Sequence, residues 1–105
     1  MSDTDIIPIA CDITKLDVAA RAREQELLAW FRSAHRNAEW TGGAYRFTFD
    51  GDETTRASLD HFIALERLCC PFLAMTVEAR ADDTIVSMSG REGVREFIEA
   101  TFARG

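Results

Sequence analysis

The segment Tyr45-Arg-Phe-Thr-Phe49 alternates aromatic and polar residues without a break. Successive side chains of a β-strand point to opposite faces, so Tyr45, Phe47 and Phe49 share one face of a predicted strand. A strand of this kind buries one face and leaves the other in solvent, which is typical of an antiparallel sheet covered on one side. The alternation therefore predicts a sheet with a covering layer on one face only.

Three stretches with helical features can supply that layer. The first helix is predicted from the capping motif at Thr14 to about Arg36. The second is predicted over residues 54–69, and Pro71 ends it because the residue before a proline avoids the α-helical region. The last helix follows residues 89–92, whose Ser-x-x-Glu spacing is that of a capping box.

Further strands are predicted around these helices. Residues 6–11 form an apolar, β-branched run and are predicted as a strand, and residues 72–79 and 84–89 are predicted as a hairpin. Residues 37–44, which contain Gly42-Gly43, are predicted as a turn. The predicted order is β-α-β-α-β-β-α. A chain of 105 residues is enough for one domain, which we assign to residues 1–105 with a flexible start at residues 1–5. We expect a two-layer α+β fold, with one small sheet and the helices packed on one face.

Charge and composition exclude several classes of partner. The net charge is −6, which disfavours binding to nucleic acid or to an anionic membrane surface. The N-terminus is acidic, and no apolar run approaches the roughly 18 residues of a membrane-spanning helix, so we expect a cytoplasmic protein. Lys15 is the only lysine among twelve basic residues, an arginine bias that indicates a GC-rich, bacterial genome.

The chain has three cysteines, at Cys11, Cys69 and Cys70. A small, disulfide-stabilised scaffold would need more cysteines, and an even number of them. A bond between Cys69 and Cys70 is also disfavoured, because adjacent Cα atoms lie about 3.8 Å apart and disulfides usually need roughly 4.4 to 6.8 Å. We therefore expect free or metal-ligated thiols. The negative end of the second helix favours a bound cation over a reactive thiolate.

Three thiolates suit Hg(II), As(III) or Cu(I), since these ions prefer soft sulfur ligands. A structural zinc site would need a fourth ligand. The only histidines, His35 and His61, are expected to be solvated surface residues. Zinc is therefore the weaker prediction.

Two charged residues fall on the apolar faces of the predicted helices. Glu66 lies near the centre of the second helix's apolar arc, three and four residues before Cys69 and Cys70. Arg23 occupies the same place on the first helix. Because a buried charge needs a partner, we predict that Arg23 and Glu66 meet across the helix interface. Such a pair could fix the helix register, or Glu66 could orient or deprotonate the thiols.

The segment Glu66-Arg67-Leu68-Cys69-Cys70-Pro71-Phe72-Leu73 resembles the E-R-x-C-C-P-F-L hallmark of a family of small, mostly uncharacterised bacterial proteins. The resemblance extends to Ala10-Cys11 and to residues 89–93 before Phe97. Family members are often encoded beside mercury- or arsenic-resistance functions, so the resemblance implies a thiol-based role with toxic soft metals. Asp12-Ile13 departs from the small polar residue and leucine that are usual there.

Three functions remain open at this point. The leading hypothesis is a binding protein in which Cys11, Cys69 and Cys70 hold Hg, As or Cu(I) for sequestration or transfer. The second is a thiol-dependent enzyme, with Cys69 or Cys70 as nucleophile and Glu66 as acid or base. The third is an interaction domain whose cysteines are core residues. The sequence leaves open the ion, the oligomeric state and whether any reaction is catalysed.

Overall fold

Two layers form the part of the chain that the structure describes, residues 10–103 of a computed structural model. The elements in chain order are a 3-10 turn at Ile13–Lys15, α1 at Val18–Ala34, β1 at Asn37–Thr41, β2 at Ala44–Asp50, α2 at Glu53–Cys69, β3 at Ala74–Ala79, β4 at Asp83–Ser89 and α3 at Val94–Ile98, which continues as a π-helical turn at Glu99–Ala103. The strands form one antiparallel sheet in the order β1-β2-β4-β3. The predicted two-layer α+β fold is confirmed.

The two central strands carry the apolar face of the sheet. Tyr45, Phe47 and Phe49 of β2 are buried, and Arg46 between them is exposed, as the alternation predicts. Phe47 pairs with the buried Val86 of β4. The covered face is therefore built from side chains that alternate along both strands.

The helices pack on this face around Phe31 of α1. The Phe31 ring centroid lies 4.9 Å from those of Phe47 and Phe49 in the sheet and 4.9 Å from that of Phe62 in α2. Phe102 closes the cluster at 5.8 Å. This aromatic cluster joins α1, α2, the sheet and the C-terminal turn into one core. None of the helices in residues 10–103 is long and apolar enough to cross a membrane.

The first hairpin differs from the sequence prediction. Residues 37–44 were predicted as a turn, but residues 37–41 form β1, and only Gly42 and Gly43 make the connection. Both glycines have positive φ, 62° and 81°, as two-residue hairpin turns require. Residues 6–9 of the predicted first strand lie outside the described residues, and Ala10 and Cys11 are not in a strand.

Two predicted helix caps are wrong. The side chain of Asp17, not Thr14, caps α1, accepting a hydrogen bond from the Ala20 N–H at 2.8 Å. Ser89 is the last residue of β4, and α3 begins after Gly93, whose φ of 96° turns the chain without a side-chain cap. The end of α2 at Cys69 agrees with the prediction.

Candidate functional site

Backbone hydrogen bonds hold Cys11 against the carboxyl end of α2. The N–H of Asp12 donates to the carbonyl of Cys69 at 2.7 Å. The turn that follows is tied to α1 by Arg21, whose Nε donates to the carbonyls of Ile13 and Leu16, both at 3.0 Å. The short segment before α1 therefore crosses the end of α2 at the two adjacent cysteines.

The end of α2 fixes the other two cysteines. The Cys70 N–H donates to the Glu66 carbonyl at 2.6 Å and closes the last turn of the helix. After Pro71 the Leu73 N–H donates to the Cys70 carbonyl at 3.1 Å. Both Cys69 and Cys70 are buried. Their side chains thus point into the domain, towards Cys11.

Four side chains converge here. The sulfurs of Cys11, Cys69 and Cys70 and a carboxylate oxygen of Glu66 all lie within 4.8 Å of one another, and such a group could hold a metal ion. The Cys69 and Cys70 sulfurs are 3.8 Å apart. The convergence of Cys11 on the vicinal pair agrees with the sequence prediction.

The expectation that the cysteines are free or metal-ligated thiols is wrong for Cys11 and Cys70. Cys11 and Cys70 form a disulfide, with Cα atoms 4.6 Å apart, and Cys69 is the free cysteine. The spacing argument disfavoured only a bond between the adjacent residues, and no such bond forms. It could not address Cys11 and Cys70, which are 59 residues apart in sequence and are brought together by the fold.

Glu66 is buried beside the disulfide, with 1% of its surface exposed. Its Oε1 lies 3.3 Å from the Cys70 sulfur, and its Oε2 has no hydrogen-bond partner within residues 10–103. Burial, followed by the neighbouring carboxyl group of Glu24, raises the pKa of Glu66 to about 10. This raised pKa favours the protonated form of Glu66 at neutral pH.

The predicted contact between Arg23 and Glu66 is wrong. Arg23 is 46% exposed and binds Glu26 at 3.2 Å and the Nδ1 of His61 at 3.5 Å. The residue that faces Glu66 from α1 is Glu24, which is 5% exposed. A buried carboxylate needs an opposite charge, whereas a carboxyl group with a raised pKa can be buried in its neutral form.

Cys69 is a poor nucleophile in this structure. Burial raises the pKa of its thiol to about 12, and the neighbouring carboxyl groups of Glu66 and Glu24 act in the same direction. The end of α2 adds a partial negative charge that acts in the same direction. Since the thiolate is the reactive form, this environment disfavours Cys69 as a catalytic nucleophile.

Neither histidine belongs to the cluster. His61 is exposed, as predicted. His35 was also predicted as a solvated surface residue, but it is only partly exposed. Its ring packs 5.3 Å from that of Phe47, and its Nδ1 is 2.9 Å from the Phe31 carbonyl oxygen.

A cavity of about 410 Å³ opens beside the disulfide. Its lining residues are Ala10, Cys11, Asp12, Lys15, Leu68, Cys69 and Pro71. The sequence reasoning assigned no role to Lys15 or to Glu24. The spacing of Glu24 from the buried Leu27 and Phe31, three and seven residues on, was the available signal for its burial.

No family model, curated protein or solved structure matches the chain. Function is therefore inferred from the geometry of the cysteine cluster and from the chemistry of sulfur ligands.

Proposed function

We propose that this chain binds a soft metal or metalloid ion through Cys11, Cys69 and Cys70 once the disulfide is reduced. The observation that carries the proposal is the convergence of the three sulfurs within 4.8 Å. Sulfurs bound to one ion at about 2.3 Å in a trigonal arrangement lie about 4 Å apart. The separation of 3.8 Å between the Cys69 and Cys70 sulfurs is close to that value.

The ligand set favours Hg(II), As(III) or Cu(I) over zinc. Three thiolates without a histidine form a soft site. A structural zinc site takes four cysteine or histidine ligands, and the remaining group of this cluster is the carboxyl group of Glu66. The resemblance of the Glu66–Leu73 segment to a family linked with mercury and arsenic resistance supports the same choice.

The disulfide makes binding conditional on redox state. Reduction by two electrons and two protons converts the Cys11–Cys70 bond into two thiols beside the Cys69 thiol. An arriving ion then displaces the thiol protons as it binds. In a reducing cytoplasm the reduced form with three thiols would predominate, which suits a protein that sequesters the ion or transfers it.

Titration of the protein with arsenite, Hg(II), Cu(I) and Zn(II) tests the proposal. The protein is first reduced with a phosphine, which is then removed under anaerobic conditions. We expect one arsenite per chain for the reduced protein and none for the oxidised protein. Single Cys11→Ser, Cys69→Ser and Cys70→Ser substitutions should each weaken arsenite binding by at least about tenfold, since each removes one of three sulfur ligands.

A matched control is Ser33→Cys, which adds a thiol on the exposed side of α1 and should leave the stoichiometry for arsenite unchanged. Undiminished binding by both Cys69→Ser and Cys70→Ser would contradict the proposal. Equal binding by the oxidised and reduced proteins would contradict it as well.

A further inference from the structure

The two sulfurs of the disulfide differ in access. Cys70 is fully buried and does not line the cavity, whereas Cys11 is partly exposed and does line it. Thiol–disulfide exchange begins when a thiolate reaches one of the two sulfurs. An incoming thiol can therefore approach Cys11 through the cavity, and Cys70 is the residue that leaves.

The cavity has the size and chemistry of a small-molecule site. Its volume of about 410 Å³ lies within the range of about 300 to 1,000 Å³ that is usual for such sites. Its apolar wall comes from Ala10, Leu68 and Pro71, and Asp12 and Lys15 are the charged residues that line it within the described part of the chain. The cavity thus offers an apolar surface beside one negative and one positive group.

The positions of Lys15 and Asp12 indicate which charged groups a ligand of the cavity would carry. Lys15 provides a positive charge at the cavity in a chain whose net charge is −6. Asp12 is held in place by the Thr14 N–H, which donates to its Oδ1 at 3.1 Å. A ligand with both a carboxylate and an ammonium group matches this pair.

We propose that the cavity binds a small thiol that carries a carboxylate and an ammonium group, as a cysteine-containing peptide does, and that this thiol opens the disulfide by attack on Cys11. The inference goes beyond metal binding and holds whether or not an ion is bound afterwards. It assigns Lys15 and Asp12 to recognition and Cys11 to the exchange reaction.

The exchange balances in two steps. In the first, the small thiol loses its proton and its sulfur bonds to the Cys11 sulfur. The Cys11–Cys70 bond breaks, and its electron pair stays on the Cys70 sulfur, which takes up a proton. In the second, another molecule of the same thiol attacks the mixed disulfide, leaving Cys11 as a thiol and releasing the oxidised small molecule. The small thiol is the reductant, and the protein disulfide is reduced by two electrons.

Reduction rates of the oxidised protein test the charge recognition. The probes are reduced glutathione, which carries carboxylate and ammonium groups, and neutral 2-mercaptoethanol. Lys15→Gln should slow reduction by glutathione about two- to fivefold, the range expected for loss of one exposed ion pair, and should leave the rate with 2-mercaptoethanol unchanged. Lys15→Arg should restore most of the rate. The control is Arg46→Gln, which removes a positive charge from the exposed side of β2 and should change neither rate.

Acid quenching and mass spectrometry locate the adduct. The oxidised Cys69→Ser protein is used, because it keeps the disulfide and lacks the neighbouring thiol. We expect glutathione on Cys11 and a free, alkylatable thiol at Cys70. An adduct on Cys70 would overturn the inference, as would equal slowing of glutathione and 2-mercaptoethanol by Lys15→Gln. Reduction by a protein dithiol alone, with no reaction of glutathione, would also overturn it. Metal titration after phosphine reduction is independent of this pathway, so failure here leaves the proposed function standing.

Discussion

Replacing Glu66 by glutamine should change how stability depends on pH. Glu66 of α2 faces Glu24 of α1 and lies beside Cys69 and Cys70 at the end of α2. A glutamine amide can donate a hydrogen bond to the Glu24 carboxylate without any ionisable proton. The Glu66→Gln protein should therefore lose the pH dependence that the buried acid imposes.

The sign and size follow from the raised pKa. Below the ordinary pKa of 4.5 the Glu66 carboxyl is protonated in the folded and the unfolded states, so no stability is lost. Between that value and the folded pKa of about 10 the unfolded chain loses a proton that the folded chain keeps. The free energy of unfolding then falls by about 1.4 kcal/mol per pH unit, or about 2.7 kcal/mol from about pH 6 to about pH 8. This is a large part of the roughly 5 to 15 kcal/mol that stabilises a typical domain.

Urea denaturation followed by tryptophan fluorescence measures the effect, with the disulfide kept intact. From about pH 6 to about pH 8, wild type should lose about 2.7 kcal/mol of unfolding free energy relative to Glu66→Gln. Glu26→Gln serves as the control, because Glu26 is 69% exposed on the same helix as Glu24. Parallel pH profiles for wild type and Glu66→Gln would refute the assignment of a protonated Glu66.

Two further predictions concern the stability of the fold. The Cys11–Cys70 disulfide joins residues that are 59 apart in sequence, so its reduction removes a loop constraint and should lower the unfolding free energy by about 4 kcal/mol. Urea denaturation with and without a phosphine measures this change. A decrease of less than about 1 kcal/mol would contradict a stabilising loop constraint. Phe31→Ala should cost about 3 to 5 kcal/mol because the ring is fully buried between both layers. Phe97→Ala, at a partly exposed position, should cost less in the same assay, and an equal or larger loss at Phe97 would show that Phe31 is not the centre of the core.

Local patterns were enough to predict most of the fold. The alternation along β2 and the proline after α2 act over a few residues, and both appear in the structure as predicted. β1 was missed because it pairs with β2 on one side only and alternates exposed with partly buried residues, so it carries a weak apolar signal. The Gly42-Gly43 turn was recognised, but its short length was not.

The site was predicted less completely, for physical reasons. The positions of Cys69 and Cys70 follow from the end of a helix, whereas the bond between Cys11 and Cys70 depends on a contact over 59 residues and on redox state. Helical periodicity placed Arg23 on the apolar arc of the first helix, but in the structure it is Glu24, one residue on, that is buried and faces Glu66. A buried acid that keeps its proton does not need an opposite charge, so the burial of Glu66 did not require an arginine beside it.

X-ray absorption of the reduced protein loaded with arsenite tests the central claim most directly. Three sulfurs that converge within 4.8 Å should give an arsenic ion bound by three sulfur ligands and no oxygen ligand. Cys69→Ser should convert this to two sulfurs and an oxygen. A wild-type spectrum with two or fewer sulfur ligands, or one that Cys69→Ser leaves unchanged, would contradict a site built from Cys11, Cys69 and Cys70.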